Sequence, residues 1–129
     1  MNILIVDDAT TFRKLLSMAL QSLGYTQLME ACSVQDAKEI LANQSQIHLI
    51  ICDWHMPSET GLDFLRWLRG EPAYKSMPFL MLTTEQERSH ILEAARLGLQ
   101  GYIFKPVQKT LLLQKLVELG ITQGDAVKA

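Results

Sequence analysis

Short apolar runs alternate with longer stretches of helical spacing along this chain, and polar residues repeatedly stand just after the runs. "ILIV" (3–6) reads as a strand buried on both faces. Phe12, Leu15, Leu16, Ala19 and Leu23 then recur at the spacing of one helix face, with Thr10 or Thr11 as N-cap and Gly24 as the stop. "QLMEA" (27–31) is a weaker strand, and Ser33 followed by Asp36 resembles a capping box for a helix through Leu41. "IHLIIC" (47–52) is a strand, and 62–69 is a short helix ended near Gly70 and Pro72. "FLMLT" (79–83) is a strand, followed by a helix over 86–97 closed by Gly98. "GYIF" (101–104) is the last strand. After Pro106, the residues Leu112, Leu113, Leu116 and Val117 form the apolar face of a final helix.

Five strand–helix units in this order predict an α/β fold, a parallel sheet covered by helices on both faces. No segment repeats, and only "TQGDAVKA" (122–129) reads as a loose tail, so residues 1–121 are expected to form one domain. A length of 129 residues suffices for a single core without staples. With 48% hydrophobic and 20% charged residues, the chain has the composition of a soluble protein. The net charge of −2, with no run of Lys and Arg, argues against a nucleic-acid partner. The apolar stretch in "MNILIVDD" is too short for a signal peptide and lacks a basic flank. No run approaches the length that crosses a bilayer, so a cytoplasmic protein with no membrane partner is expected. Cys32 and Cys52 lack CxxC spacing and are expected to be two buried reduced thiols, with Cys52 a small core residue. His48, His55 and His90 lack the spacing of zinc ligands.

The chemistry gathers at the ends of the runs. "LIICDWHMP" (49–57) sets Asp53 directly against the last apolar residue of a strand, where an unpaired carboxylate is costly. Asp7 and Asp8 follow the first strand, Thr83 ends the fourth and Lys105 follows the fifth. Ligands of open α/β sheets bind beyond the carboxyl ends of the strands, so these residues converge on one edge. Alone, the Asp7-Asp8 pair would read as a solvated turn and Lys105 as a surface lysine. Together, the three carboxylates call for a cation, and Mg²⁺ suits a water-rich, oxygen-only set. A nearby lysine and hydroxyl can hold phosphoryl oxygens, and a carboxylate beside Mg²⁺ can attack phosphorus to give an aspartyl phosphate. Asp53 is therefore the expected phosphoacceptor.

"VDD" (6–8), "DWHMP" (53–57), Thr83 and "KP" (105–106) match, in order and spacing, the receiver domains of two-component response regulators. The chain resembles that family over about residues 2–119. Trp54, Glu85 and "GYIFKP" make it most similar to the stand-alone chemotaxis regulators of the CheY type. The resemblance implies a flavodoxin-like (βα)5 doubly wound fold with strand order 2-1-3-4-5. It implies that Asp53 accepts the phosphoryl group, and that Asp7, Asp8, Asp53 and the His55 backbone carbonyl hold Mg²⁺ or Mn²⁺. It further implies that Lys105 pairs with phosphoryl oxygens, that the Thr83 hydroxyl moves to bond one, and that Tyr102 is an aromatic switch. The Lys105–Pro106 bond is expected to be cis. The implied donor is a histidine kinase or phosphotransfer domain. The implied output is an effector protein bound on the face of the fourth helix, fifth strand and fifth helix. No effector domain is expected beyond the final helix and tail.

Three positions bear on how long a phosphoryl group would last. His55 stands where the chemotaxis proteins usually carry Asn, Thr84 where a small residue is common, and Glu85 follows it. Thr60 departs from the usual Asp before Gly61. The expected protein is a switch that catalyses its own phosphorylation and dephosphorylation, not a turnover enzyme. Alternatives are a phosphorelay receiver or a receiver in a non-motility pathway. A phosphatase with an aspartyl nucleophile would want a second Asp where His55 stands, and a nucleotide binder would want a phosphate-cradling loop where "DDATTF" stands.

Overall fold

The apolar runs pair side by side because each is buried on both faces. In the computed structural model they form one five-stranded parallel sheet of order β2-β1-β3-β4-β5. In chain order the elements are β1 (Asn2–Val6), α1 (Thr10–Ser22), β2 (Leu28–Ala31), α2 (Val34–Asn43) and β3 (Ile47–Asp53). They continue with α3 (Gly61–Gly70), β4 (Phe79–Thr83), α4 (Ile91–Arg96), β5 (Gly101–Phe104) and α5 (Lys109–Glu118). This is the flavodoxin-like arrangement, in the expected strand order. The structure describes residues 1–44, 46–84 and 89–121. The expected tail at 122–129, Glu85, and the expected helix residues 86–88 lie outside them.

Successive strand residues feed opposite faces of the sheet, which is why the runs are continuous and not alternating. Leu4, Val6, Ile50, Cys52, Phe79 and Met81 pack on one side with Ala37 and Leu41 of α2, Phe64 and Leu68 of α3, and Ala94 of α4. Ile3, Ile5, Leu49, Ile51, Leu80 and Leu82 pack on the other with Leu16 and Leu20 of α1 and Leu112 and Leu116 of α5. No helix among the described residues is long and apolar enough to cross a membrane.

Five expectations need correction. The N-cap of α1 is Ala9, with no side-chain cap, and Thr10 and Thr11 lie inside the first turn. The Asp7 carboxylate does the polar work instead, accepting the Ala9 N–H at 2.8 Å. Leu15 is exposed, because the α1 stripe centres on Leu16 and Leu20, and one residue along a helix turns about 100° away. Val117 is exposed for the same reason beside buried Leu116. Cys32 is exposed: it stands in the turn after β2, where its N–H donates to the Asp36 carboxylate. Asp36 thus bonds one residue upstream of a reciprocal capping box, although the Ser33 hydroxyl does accept the Asp36 N–H.

A complete capping box opens α3, between Thr60 and Asp63. It fixes the helix start so that Gly61 donates its N–H to the Trp54 carbonyl at 2.8 Å. A Cβ on Gly61 would stand 2.6 Å from the Asp53 carbonyl oxygen and 2.8 Å from the Met81 sulfur. At the far end of α3, Arg69 donates to the carbonyls of Leu97, Tyr74, Met77 and Gly98 and to Gln100 Oε1. Gln100 Oε1 also accepts the Phe79 N–H that opens β4.

Candidate functional site

Asp7 follows the last residue of β1 and is fully buried; Asp53 is the last residue of β3 and is 7% exposed; Asp8 is exposed. Each offers a carboxylate oxygen, and these lie within 4.8 Å of one another. Lys105, after β5, places Nζ 2.8 Å from Asp53 Oδ1 and 4.0 Å from Asp7 Oδ2. The first is a charge-assisted hydrogen bond; the second is attraction at a distance too long for one. Asp7 Oδ2 is consequently buried without a hydrogen-bond partner among the described residues.

Burial raises the Asp53 carboxyl above its ordinary value, with Lys105 and the Trp54 N–H pulling the other way. Burial likewise raises Asp7, and the charge of Asp53 adds to the rise, against the Ala9 N–H and Lys105. One ammonium does not balance three acids. An orphaned buried oxygen, an oxygen-only donor set and surplus negative charge fit a hard divalent ion such as Mg²⁺. The buried Cys52 thiol is pushed well up by burial first and then by Asp53 and Asp7, which leaves it a core residue and no nucleophile.

Thr83 ends β4, 1% exposed, and its hydroxyl donates to the Thr84 carbonyl at 3.4 Å. In the parallel register Thr83 faces Phe104 of β5, while Tyr102 faces Met81. The Tyr102 ring, 39% exposed, meets the Phe104 ring edge-on at 5.4 Å. Phe104 therefore stands between the two expected switch residues. His55 is exposed and Thr84 is half-buried. Trp54 is buried and stacks on His90, at the start of α4, with centroids 5.0 Å apart. The Lys105–Pro106 bond is cis.

Residues 3–117 match the family model of the response regulator receiver domain. The chain belongs to that family. The Chemotaxis protein CheY of Pseudomonas aeruginosa is 38% identical to this receiver over 119 residues, which are 92% of this chain and 95% of the relative. A Chemotaxis protein CheY homolog of Campylobacter jejuni is 33% identical over 126 residues, 97% of each chain. Among solved structures, chemotaxis protein CheY4 of Vibrio cholerae superposes with a TM-score of 0.82 at 32% identity, covering 92% of this chain and 97% of that one.

Three residues that shape the receiver's pocket were absent from the sequence reading of the site. Arg13 donates to the Asp7 carbonyl at 2.7 Å and to Glu30 at 2.8 Å, tying the acidic loop to α1 and β2. Gly61 leaves room for the Asp53 backbone. Phe12 lies under the Lys105 ammonium. Only Gly61 had a legible signal, a glycine just after the capping threonine.

Proposed function

We propose that this receiver is a phosphorylation switch in which Asp53 takes a phosphoryl group from a histidine kinase or phosphotransfer domain. The observation that carries the reading is the 2.8 Å contact between Lys105 and Asp53 beside two further acids. An Asp53 oxygen attacks the phosphorus of a phosphohistidine, the P–N bond breaks, and the imidazole leaves. Asp7, Asp8, Asp53 and the His55 carbonyl would hold Mg²⁺ or Mn²⁺, which would supply charge neutralisation between the acids and the incoming anion. Lys105 shifts from Asp53 to the new phosphoryl oxygens, and the Thr83 hydroxyl turns to donate to another. Tyr102 then moves inward and changes the face built by α4, β5 and α5, which an effector protein reads. The likeness to chemotaxis proteins favours a motility pathway. The chain promotes gain and loss of its own phosphoryl group and is not a turnover enzyme.

Incubation with acetyl phosphate and Mg²⁺ tests this. Intact mass rises by one phosphoryl group in the wild type, and neither Asp53→Asn nor the wild type with chelator shows the rise. Equal labelling of Asp53→Asn would place the acceptor elsewhere and overturn the assignment.

A further inference from the structure

Phe12 sits in the first turn of α1, and its ring centroid lies 4.3 Å from Lys105 Nζ. The ring is half-buried and packs on the cluster that contains Leu16, Leu20 and Leu112. A cation at this distance from a ring face is attracted by the negative π surface, and more strongly where water is partly excluded. Lys105 is only 24% exposed along its side chain, so the contact is partly desolvated.

We infer that Phe12 is a positioning residue for phosphoryl transfer: its ring holds the Lys105 ammonium at the pocket mouth independently of the charge on the acids. This rests on the phosphoacceptor reading above. The lysine now hangs from Asp53 at 2.8 Å, with Asp7 Oδ2 at 4.0 Å as its next acidic neighbour. Both attractions weaken when a divalent ion neutralises the carboxylates, and the Asp53 contact must be given up when its oxygens become part of an acyl phosphate. Among the described residues, the ring face is the one partner whose pull survives every step. It also has no directional lone pair, so the ammonium can swing from carboxylate to phosphoryl oxygen without leaving it. A residue that merely fills space would hold α1 against the core and be indifferent to the lysine.

Graded ring fluorination of residue 12 separates these roles, because it drains the negative face and barely alters the shape. Asp53 phosphorylation by acetyl phosphate at saturating Mg²⁺ should slow stepwise with fluorine number, by about 3- to 10-fold in total. Phe12→Leu should match the most fluorinated ring and Phe12→Trp should keep the wild-type rate. In a Lys105→Met background the same changes should leave the residual rate unaltered. A rate flat across the series, or an equal loss without Lys105, overturns the inference. A second readout needs no metal and no donor: the Lys105 ε-proton resonances should carry a ring-current shift that Phe12→Leu abolishes. Unshifted resonances in the wild type overturn the inference too. A wild type that takes no phosphoryl group while this shift is present would instead strike the phosphoacceptor reading.

Discussion

Thr83 and Phe104 face each other across the β4–β5 register, and the Phe104 ring, in turn, meets Tyr102. On the proposed switch, movement of Thr83 toward a phosphoryl group would open space beside Phe104 before it reached Tyr102. Replacing Phe104 by Val should therefore uncouple the two ends. With beryllofluoride and Mg²⁺ as phosphoryl mimic, the Thr83 methyl resonance should still shift in Phe104→Val, while the Tyr102 ring response shrinks to less than half. The coupling at stake is roughly 1–3 kcal/mol, the usual range between linked sites. A full Tyr102 response in the variant would mean that the signal bypasses Phe104.

Metal-free stability should depend on Asp7 in an unusual direction. Burial raises its folded pKa above the ordinary 3.8, so the folded chain binds more protons than the unfolded one across that interval. Stability then falls as pH rises through the interval, and the whole penalty is present above the folded pKa. Asp7→Asn should stabilise the chelated protein at about pH 7, with the difference fading as pH falls below the ordinary 3.8. Glu30 titrates in the opposite sense: despite its burial, hydrogen bonds from Lys14 and Arg13 hold it below its ordinary range. Comparing variant with wild type cancels that contribution. Denaturation at several pH values with chelator checks the sign, and added Mg²⁺ should stabilise only the wild type.

Gly61→Ala should damage the acceptor directly. Its methyl would collide with the Asp53 carbonyl oxygen and the Met81 sulfur, at 2.6 and 2.8 Å. Met81 can swing away; the backbone of a central strand cannot without moving Asp53. A loss of about 1–3 kcal/mol is expected, the range for forced overpacking. Phosphorylation should slow even in the fraction that remains folded, measured by mass after short exposure to acetyl phosphate. Wild-type kinetics in a folded variant would show that the acceptor tolerates the shift.

The aspartyl phosphate should be long-lived relative to that of a variant with smaller neighbours. His55 is exposed two residues after the acceptor and Thr84 is half-buried next to Thr83 in the chain, and on the proposed chemistry both would obstruct water attacking in line. His55→Asn combined with Thr84→Ala should shorten the lifetime several-fold, followed by loss of the phosphorylated mass after the donor is removed. A longer lifetime in the double variant would reverse the steric argument.

The placement of the elements was legible because each run is short, apolar and closed by a turn signal, and parallel pairing buries both faces. The acids and Lys105 were legible because a charged residue at the end of a buried strand has few structural explanations. Helix faces were less so: Leu15 and Val117 fit an apolar stripe by spacing, yet a rotation of one residue puts each in solvent. The α3 cap carries the T-x-x-D pattern at 60–63, so its signal was present and unused. Phe12 and Phe104 left no signal. Their contacts join residues 12 to 105 and 104 to 83, and only the strand register and crossovers bring such pairs together.

The Arg69 clasp gives α4 a fulcrum. Its guanidinium grips the carbonyls of Leu97 and Gly98 while resting on those of Tyr74 and Met77 and on Gln100. That end of the helix is pinned to the base of the sheet, far from the acids. Among the described residues, the opposite end is held by the His90–Trp54 stack and an exposed Arg66–Glu93 bridge of 2.7 Å. On the proposed switch, a push delivered near Thr84 would swing the helix like a gate on its hinge post. Six residues at ~1.5 Å each make an arm of about 9 Å, so displacement grows along it from the hinge outward. A protein that touches Leu92 would sense the swing, and one that touches Gly98 would not. Selectivity for one signalling state would then depend on where along this arm a partner takes hold.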